Sequence, residues 1–176
     1  MTISTPYYQI DIDKLNNNIN GNIKRLREEA NCKVLIALKG FSIPPILSII
    51  ANGLDGTSAS GLYESILGKS TIDKDVCTYS PAFKEDEIEE ISKNSSIVIF
   101  NSIAQFEKYH KLVYYHHASC GIRVNPECST LPKHLEQILV KLILDWVLLL
   151  IICRTLICSE KTKSRVFTSI RCANKM

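Results

Sequence analysis

The chain has no Cys-x-x-Cys pair, and its seven cysteines, an odd number, fall at irregular spacings. That pattern excludes a disulfide framework and gives a cytosolic reading. Met1-Thr2-Ile3-Ser4-Thr5-Pro6 has neither a basic segment nor an apolar run, so no secretory signal is expected. No uninterrupted apolar run is long enough to cross a bilayer. Within Leu135–Cys158 the longest charge-free stretch is Trp146–Cys153, against about 20 residues for a spanning helix. An amphipathic or buried helix suits that segment better than a membrane span. Lys161–Arg171 is basic but lacks the aromatic interleaving of a single-strand binder, so no nucleic-acid partner is expected. His116, His117, Cys120 and Cys128 lie close together, but their spacing matches no zinc pattern, and no metal site is assigned.

What is present divides in two. Residues 129–176 carry eight Lys or Arg against three acids and contain no glycine; of 21 bases and 18 acids overall, 13 and 15 fall in the first 128 residues. The first part is therefore slightly acidic and the second clearly basic. The expected division is 1–128, a folded α/β unit, and 129–176, a tail of a different kind.

The first part repeats a βα plan. Apolar runs at Lys33–Leu38, Leu54–Ala59, Val76–Tyr79, Ile97–Phe100 and Gly121–Val124 recur at the spacing of βα units. Asp13 is the expected N-cap of a helix over Lys14–Ala30, with Leu15, Ile19, Ile23 and Leu26 at helical spacing. Glu85–Ser92 and Ile103–Leu112, the latter opened by Ser102, are further helices. Strands alternating with helices predict a parallel sheet. Five such units make an incomplete (β/α)₈ barrel, which normally needs roughly 250 residues.

Lys33-Val34-Leu35-Ile36-Ala37-Leu38-Lys39-Gly40-Phe41 is the most informative stretch. Its unbroken apolar run predicts a strand buried on both faces. Lys39 follows at the C-terminal end, where chemistry sits in parallel α/β proteins. A partly buried lysine there can act as an amine nucleophile toward an aldehyde. The other reading is a solvated lysine closing a strand.

Six segments in order carry a resemblance: Thr5-Pro6-Tyr7-Tyr8-Gln9-Ile10-Asp11, Ala37-Leu38-Lys39-Gly40-Phe41, Leu54-Asp55-Gly56-Thr57-Ser58-Ala59-Ser60, Tyr79-Ser80-Pro81-Ala82-Phe83, Phe100-Asn101-Ser102 and Gly121-Ile122-Arg123-Val124-Asn125-Pro126-Glu127. Residues 5–128 resemble the carboxynorspermidine (carboxyspermidine) decarboxylases, pyridoxal-phosphate enzymes of the alanine racemase and ornithine decarboxylase fold type. The resemblance implies a partial TIM barrel of the alanine racemase N-terminal type. It implies that Lys39 bonds to the cofactor's aldehyde carbon, and that Ser58 and Arg123 lie near the cofactor. Glu64 matches a family glutamate, with simple helix polarity as its alternative. For Arg123 the alternative is a salt-bridged barrel arginine, and for Tyr79-Ser80-Pro81 and Asn101-Ser102 it is turn and cap chemistry. The implied substrate is a polyamine ending in an amino-acid group, giving norspermidine or spermidine. The full-length family implies a homodimer in the cytoplasm.

The resemblance ends after Glu127-Cys128. The family's phosphate cradle, later His-containing strand, acid for the pyridine nitrogen and C-terminal β-domain find no match in this sequence. The tail fits a shifted reading frame. Permitted codons for Ile143–Ile152, read from the third nucleotide, give Thr-Arg-Leu-Gly-Ile-Thr-Phe-Asn-Asn, and the family places an Arg-Leu-Gly-Ile segment shortly after its Asn-Pro-Glu strand. A genuine alternative C-terminus is the competing account. The chain is then expected to be an inactive fragment of a decarboxylase, with a non-catalytic cofactor-binding barrel or a tail-anchored fragment as alternatives.

Overall fold

Asp11, two residues earlier than expected, opens the first helix by accepting the backbone N–H of Lys14 at 3.0 Å. A capping side chain bonds to the N–H about three residues on, and Asp11 has the extended backbone this requires. Asp13 instead lies in the first turn of α1 (Ile12–Asn18), where a negative charge favours the helix N-terminus. The structure, a computed structural model, describes residues 5–123. The expectations for Val124–Cys128, Leu135–Cys158 and Lys161–Arg171 fall outside those residues.

A π-helical turn, Ile19–Ile23, separates α1 from α2 (Lys24–Ala30). One extra residue in a turn rotates the next helical segment by about 100°. Leu15, Ile19 and Ile23 accordingly pack on Ile50 and Leu54, while Leu26 turns outward and is 49% exposed. Arg27 takes the inward place and donates to Asp55 Oδ1 at 2.6 Å and to the Gly53 carbonyl at 3.3 Å. Leu26 is thus not the core residue its spacing suggested.

The remaining elements alternate: β1 (Leu35–Ala37), α3 (Pro44–Ile50), β2 (Gly56–Ala59), α4 (Leu62–Ile72), β3 (Asp75–Tyr79), α5 (Ile88–Asn94), β4 (Ile97–Phe100), α6 (Ile103–Tyr115) and β5 (Ser119–Ile122). All five strands are parallel and stand in chain order in one sheet. This is the α/β plan of a partial (β/α)₈ barrel. The register pairs Ala37 with Ser58, Ser58 with Cys77, Cys77 with Ile97, and Ile97 with Ser119.

Alternate strand residues face opposite ways. Val98, Phe100 and Cys120 face the helices and pack with Phe83, Ile88, Ile91, Tyr109 and Val113. Cys77, Ile97 and Ile99 form a cluster on the other face, joined by Leu35 and Tyr79. β4 is buried along its whole length, as an unbroken apolar run requires. β1 is not. Leu35 and Ile36 are half-buried and Ala37 is exposed. β1 stands at one edge of the described sheet and has only β2 beside it, so the expected two-sided burial is not met.

Close packing explains one glycine. A Cβ at Gly68 of α4 would overlap Thr57 Oγ1 on β2, so only glycine lets helix and strand approach this closely. Ion pairs brace the N-terminal ends of the strands. Asp55 Oδ2 accepts the Val34 N–H at 2.8 Å while Oδ1 holds Arg27, and Lys33 pairs with Asp75.

Candidate functional site

The C-terminal ends of the strands gather the residues singled out from the sequence. Leu38 extends the β1–β2 ladder by donating its N–H to the Ser58 carbonyl at 3.0 Å. Its side chain is buried among Leu47 and Ile72 on the helix side. The backbone then turns, with the Gly40 and Phe41 N–H groups both donating to the Ala37 carbonyl, at 3.0 and 3.3 Å. Lys39 sits in that turn and is exposed. The partial burial anticipated for it is absent, because the turn lifts it off the sheet beyond the last ladder bond.

Ser58 is the third residue of β2 and is half-buried. The register puts it in the row of Ala37, Cys77 and Ile97, on the face away from the helices. Glu64 lies in the first turn of α4, and its Oε2 accepts the Ser60 N–H at 2.7 Å. Its carboxylate therefore closes the start of α4 in the manner of a capping box.

The most developed cluster joins three strands. Tyr79 ends β3, Asn101 follows β4 and Arg123 follows β5. Tyr79 pairs with Ile99 and Ile99 with Gly121, so Asn101 and Arg123 stand two residues further on the same face. The Arg123 N–H donates to the Phe100 carbonyl at 2.8 Å, carrying the ladder past β5. Arg123 Nη1 donates to the Tyr79 hydroxyl oxygen at 2.5 Å and to Asn101 Oδ1 at 3.3 Å. The Tyr79 hydroxyl donates to the same Asn101 oxygen at 3.2 Å. Sequence reading placed Tyr79 and Asn101 at the same end of the sheet as Arg123 but assigned no contact among the three. Their shared row and polar tips are the signal that could have grouped them with Arg123.

Ser80 and Ser102 follow their alternative readings. Ser80 Oγ donates to the Ala82 carbonyl at 2.8 Å, and Ser102 caps α6 by accepting the Gln105 N–H at 3.3 Å.

The Cys77 and Cys120 thiols are silenced by burial. Desolvation pushes the Cys77 thiol up to about 12, helped by the Asp75 charge, and burial lifts Cys120 to about 12 as well. Both stay protonated at neutral pH and are not nucleophiles. Among the described residues no three His, Cys, Asp or Glu side chains are grouped to hold a metal, and no helix is long and apolar enough to cross a membrane.

Taken as a donor set, the strand ends offer groups for an aldehyde and for a polar ring, and none of them is assigned to a phosphate. An exposed primary amine at Lys39 suits the aldehyde, and an arginine with a phenol and an amide suits the polar ring.

No protein-family model matches the chain. Over 133 residues it is 43% identical to the carboxynorspermidine/carboxyspermidine decarboxylase of Campylobacter jejuni, covering 76% of this chain and 34% of that protein. It is 38% identical over 127 residues to the protein of the same description from Herminiimonas arsenicoxydans, covering 72% of this chain and 34% of the relative. It is 31% identical over 128 residues to carboxyaminopropylagmatine decarboxylase of Synechocystis, covering 73% and 33%. The crystal structure of carboxynorspermidine decarboxylase complexed with norspermidine, from Campylobacter jejuni, superposes with a TM-score of 0.67 at 42% identity, over 72% of this chain and 34% of that one. The chain thus spans about a third of the length of the curated relatives it matches.

Proposed function

We propose that this chain, related by sequence and fold to the carboxynorspermidine/carboxyspermidine decarboxylases, is the lysine-bearing part of a pyridoxal-phosphate carboxy-lyase of polyamine biosynthesis. The observation that supports this reading is the placement of Lys39, Ser58, Tyr79, Asn101 and Arg123 toward the same, C-terminal end of a parallel sheet. In such sheets the C-terminal strand ends are where ligands bind.

Bound pyridoxal phosphate supplies an electron sink that lets a carbon–carboxylate bond break. The residues' own part is to hold and orient. Lys39 would hold the cofactor by its aldehyde carbon. Arg123, tied to Tyr79 and Asn101, would set a positive charge beside the ring, and Ser58 would line the same face. The substrate would be a polyamine with a terminal amino-acid group, giving norspermidine or spermidine. The full-length protein would act as a cytoplasmic homodimer.

Within this reading residues 1–128 are the partial cofactor-binding barrel and 129–176 are a shifted reading frame. The chain alone would not turn over. Losing even one electrostatic partner of a catalytic site lowers the rate by about 10²–10³, and the match to its relatives covers about a third of their length.

The test is CO₂ release from carboxynorspermidine and carboxyspermidine. A frame-restored, full-length protein is expected to release it and the 176-residue chain is not. Turnover by the 176-residue chain equal to that of the Campylobacter jejuni enzyme overturns the fragment reading. A restored protein inert on both compounds overturns the substrate assignment.

A further inference from the structure

We infer that Tyr79 and Asn101 are positioning residues that fix the Arg123 guanidinium at the mouth of the sheet for a pyridine-aldehyde cofactor held by Lys39. The inference rests on the cofactor reading above and assigns work to two residues which that reading does not need.

The argument begins with geometry. Three side chains from three strands meet, and no two are sequence neighbours. The bond from Arg123 Nη1 to the Tyr79 hydroxyl is 2.5 Å long, at the short end for a charge-assisted bond. Asn101 Oδ1 accepts from both partners, at 3.2 and 3.3 Å, so its amide can face only one way. The three contacts form a closed triangle, and each fixes the other two.

The cluster is not there for the core. Asn101 is exposed, and Tyr79 and Arg123 are half-buried. Polar contacts this wet add little to folding stability, while ordering an arginine takes away rotamer freedom. An ordered guanidinium at a strand mouth is better explained by what it faces.

Its place fits the ligand. Adjacent strands lie about 4.8 Å apart, so β3 stands about 10 Å from β1 across the sheet. Tyr79 on β3 brings the Arg123 guanidinium, whose own strand is β5, to within two strands of Lys39, and the two would hold such a cofactor between them. The triangle would then decide how the charge meets the ring, and so how readily the ring accepts electrons.

The experiment measures uptake of pyridoxal phosphate by the 176-residue chain, followed by borohydride trapping and peptide mapping of Lys39. Tyr79→Phe keeps the ring and removes the hydroxyl. It is expected to weaken cofactor binding about tenfold, the loss of one hydrogen bond to a charged group. It is also expected to shift the pH at which the bound cofactor's visible band changes, a signature that a purely structural role would not move. Arg123→Lys should shift the band in the same direction. Adding Tyr79→Phe to Arg123→Ala should weaken binding no further. Asn101→Ala is a second variant, with circular dichroism to verify folding. Uptake and band titration unchanged in folded Tyr79→Phe and Asn101→Ala overturn the inference alone. Failure of both the 176-residue chain and the frame-restored protein to load Lys39 overturns the cofactor reading and the inference with it.

Discussion

The Arg123 guanidinium carbon lies 5.5 Å from the centre of the Tyr79 ring while its Nη1 donates to the hydroxyl of the same residue at 2.5 Å. Charge and ring are therefore in reach of each other, but the hydroxyl makes the closer contact. The hydrogen bond outweighs the cation–π attraction, which is worth about 0.5–1 kcal/mol at exposed sites. Tyr79→Phe and Tyr79→Leu should differ accordingly. The first removes the bond, and the second removes bond and ring together.

Lys39 should be the lysine that takes up an aldehyde cofactor. After borohydride reduction, mapping should find the pyridoxyl group mainly on the peptide carrying Lys39, and Lys39→Ala should lose it. Main labelling at Lys33, which is paired with Asp75 at the other end of the strands, would reject the assignment.

Asp55 should matter for folding and not for cofactor capture. It accepts from both Arg27 and the Val34 backbone, and its side chain is 16% exposed. Asp55→Ala leaves the half-buried Val34 N–H without its acceptor and Arg27 without its anionic partner, keeping only its bond to the Gly53 carbonyl. Stability should fall by about 2–3 kcal/mol, measured by urea unfolding. An unchanged midpoint would show that water replaces the carboxylate freely.

Gly68→Ala should destabilise the protein although alanine is the better helix former by about 1 kcal/mol. The added methyl meets Thr57 Oγ1, and overpacking of this kind typically costs about 1–3 kcal/mol. Thr57→Ala in the same protein should recover part of the loss. Thermal melts of the two single variants and the pair decide the point.

Alkaline pH should weaken the fold. The Cys77 and Cys120 thiols are raised from 9.0 to about 12, and the Tyr114 hydroxyl from 10.0 to about 12, chiefly by burial. Between those values the unfolded chain has given up protons that the folded one keeps. Stability is then intact below about pH 9 and falls as pH rises toward 12. Urea midpoints at pH 8, 9 and 10 should decrease in order. Among the described residues Cys32 is the exposed thiol, and alkylation of the native protein should reach it before Cys77 and Cys120.

Resequencing the gene across codons 128–176 should reveal a single-nucleotide shift that restores a family-like continuation. A confirmed original sequence would favour a genuine alternative C-terminus.

The plan of the fold was legible because it is written in local order. Ile97–Phe100 reads as an apolar run between helices and is a fully buried strand. Lys33–Leu38 reads the same way, yet its strand is three residues long and half-exposed. Burial depends on what lies beside a strand, which no run of residues encodes. Leu26 misled for a related reason, since the π turn at Ile19–Ile23 breaks the phase that its spacing assumed. Lys39 could be placed by counting to the end of a strand. The tie from Arg123 to Tyr79 spans 44 positions, and only the register of three strands brings the two together.

The ion pairs of Asp55 and Asp75 stand at the starts of the strands, and the Tyr79 triangle stands at their ends. Along β3 Asp75 and Tyr79 are the two ends of a five-residue strand, about 13 Å apart at the usual rise. That exceeds the screening length of about 8 Å in physiological salt. For charges that meet through solvent, the two ends are largely screened from each other. Exposed charge added near the strand starts, with the Asp55 and Asp75 pairs kept, should therefore reach the opposite rim only weakly.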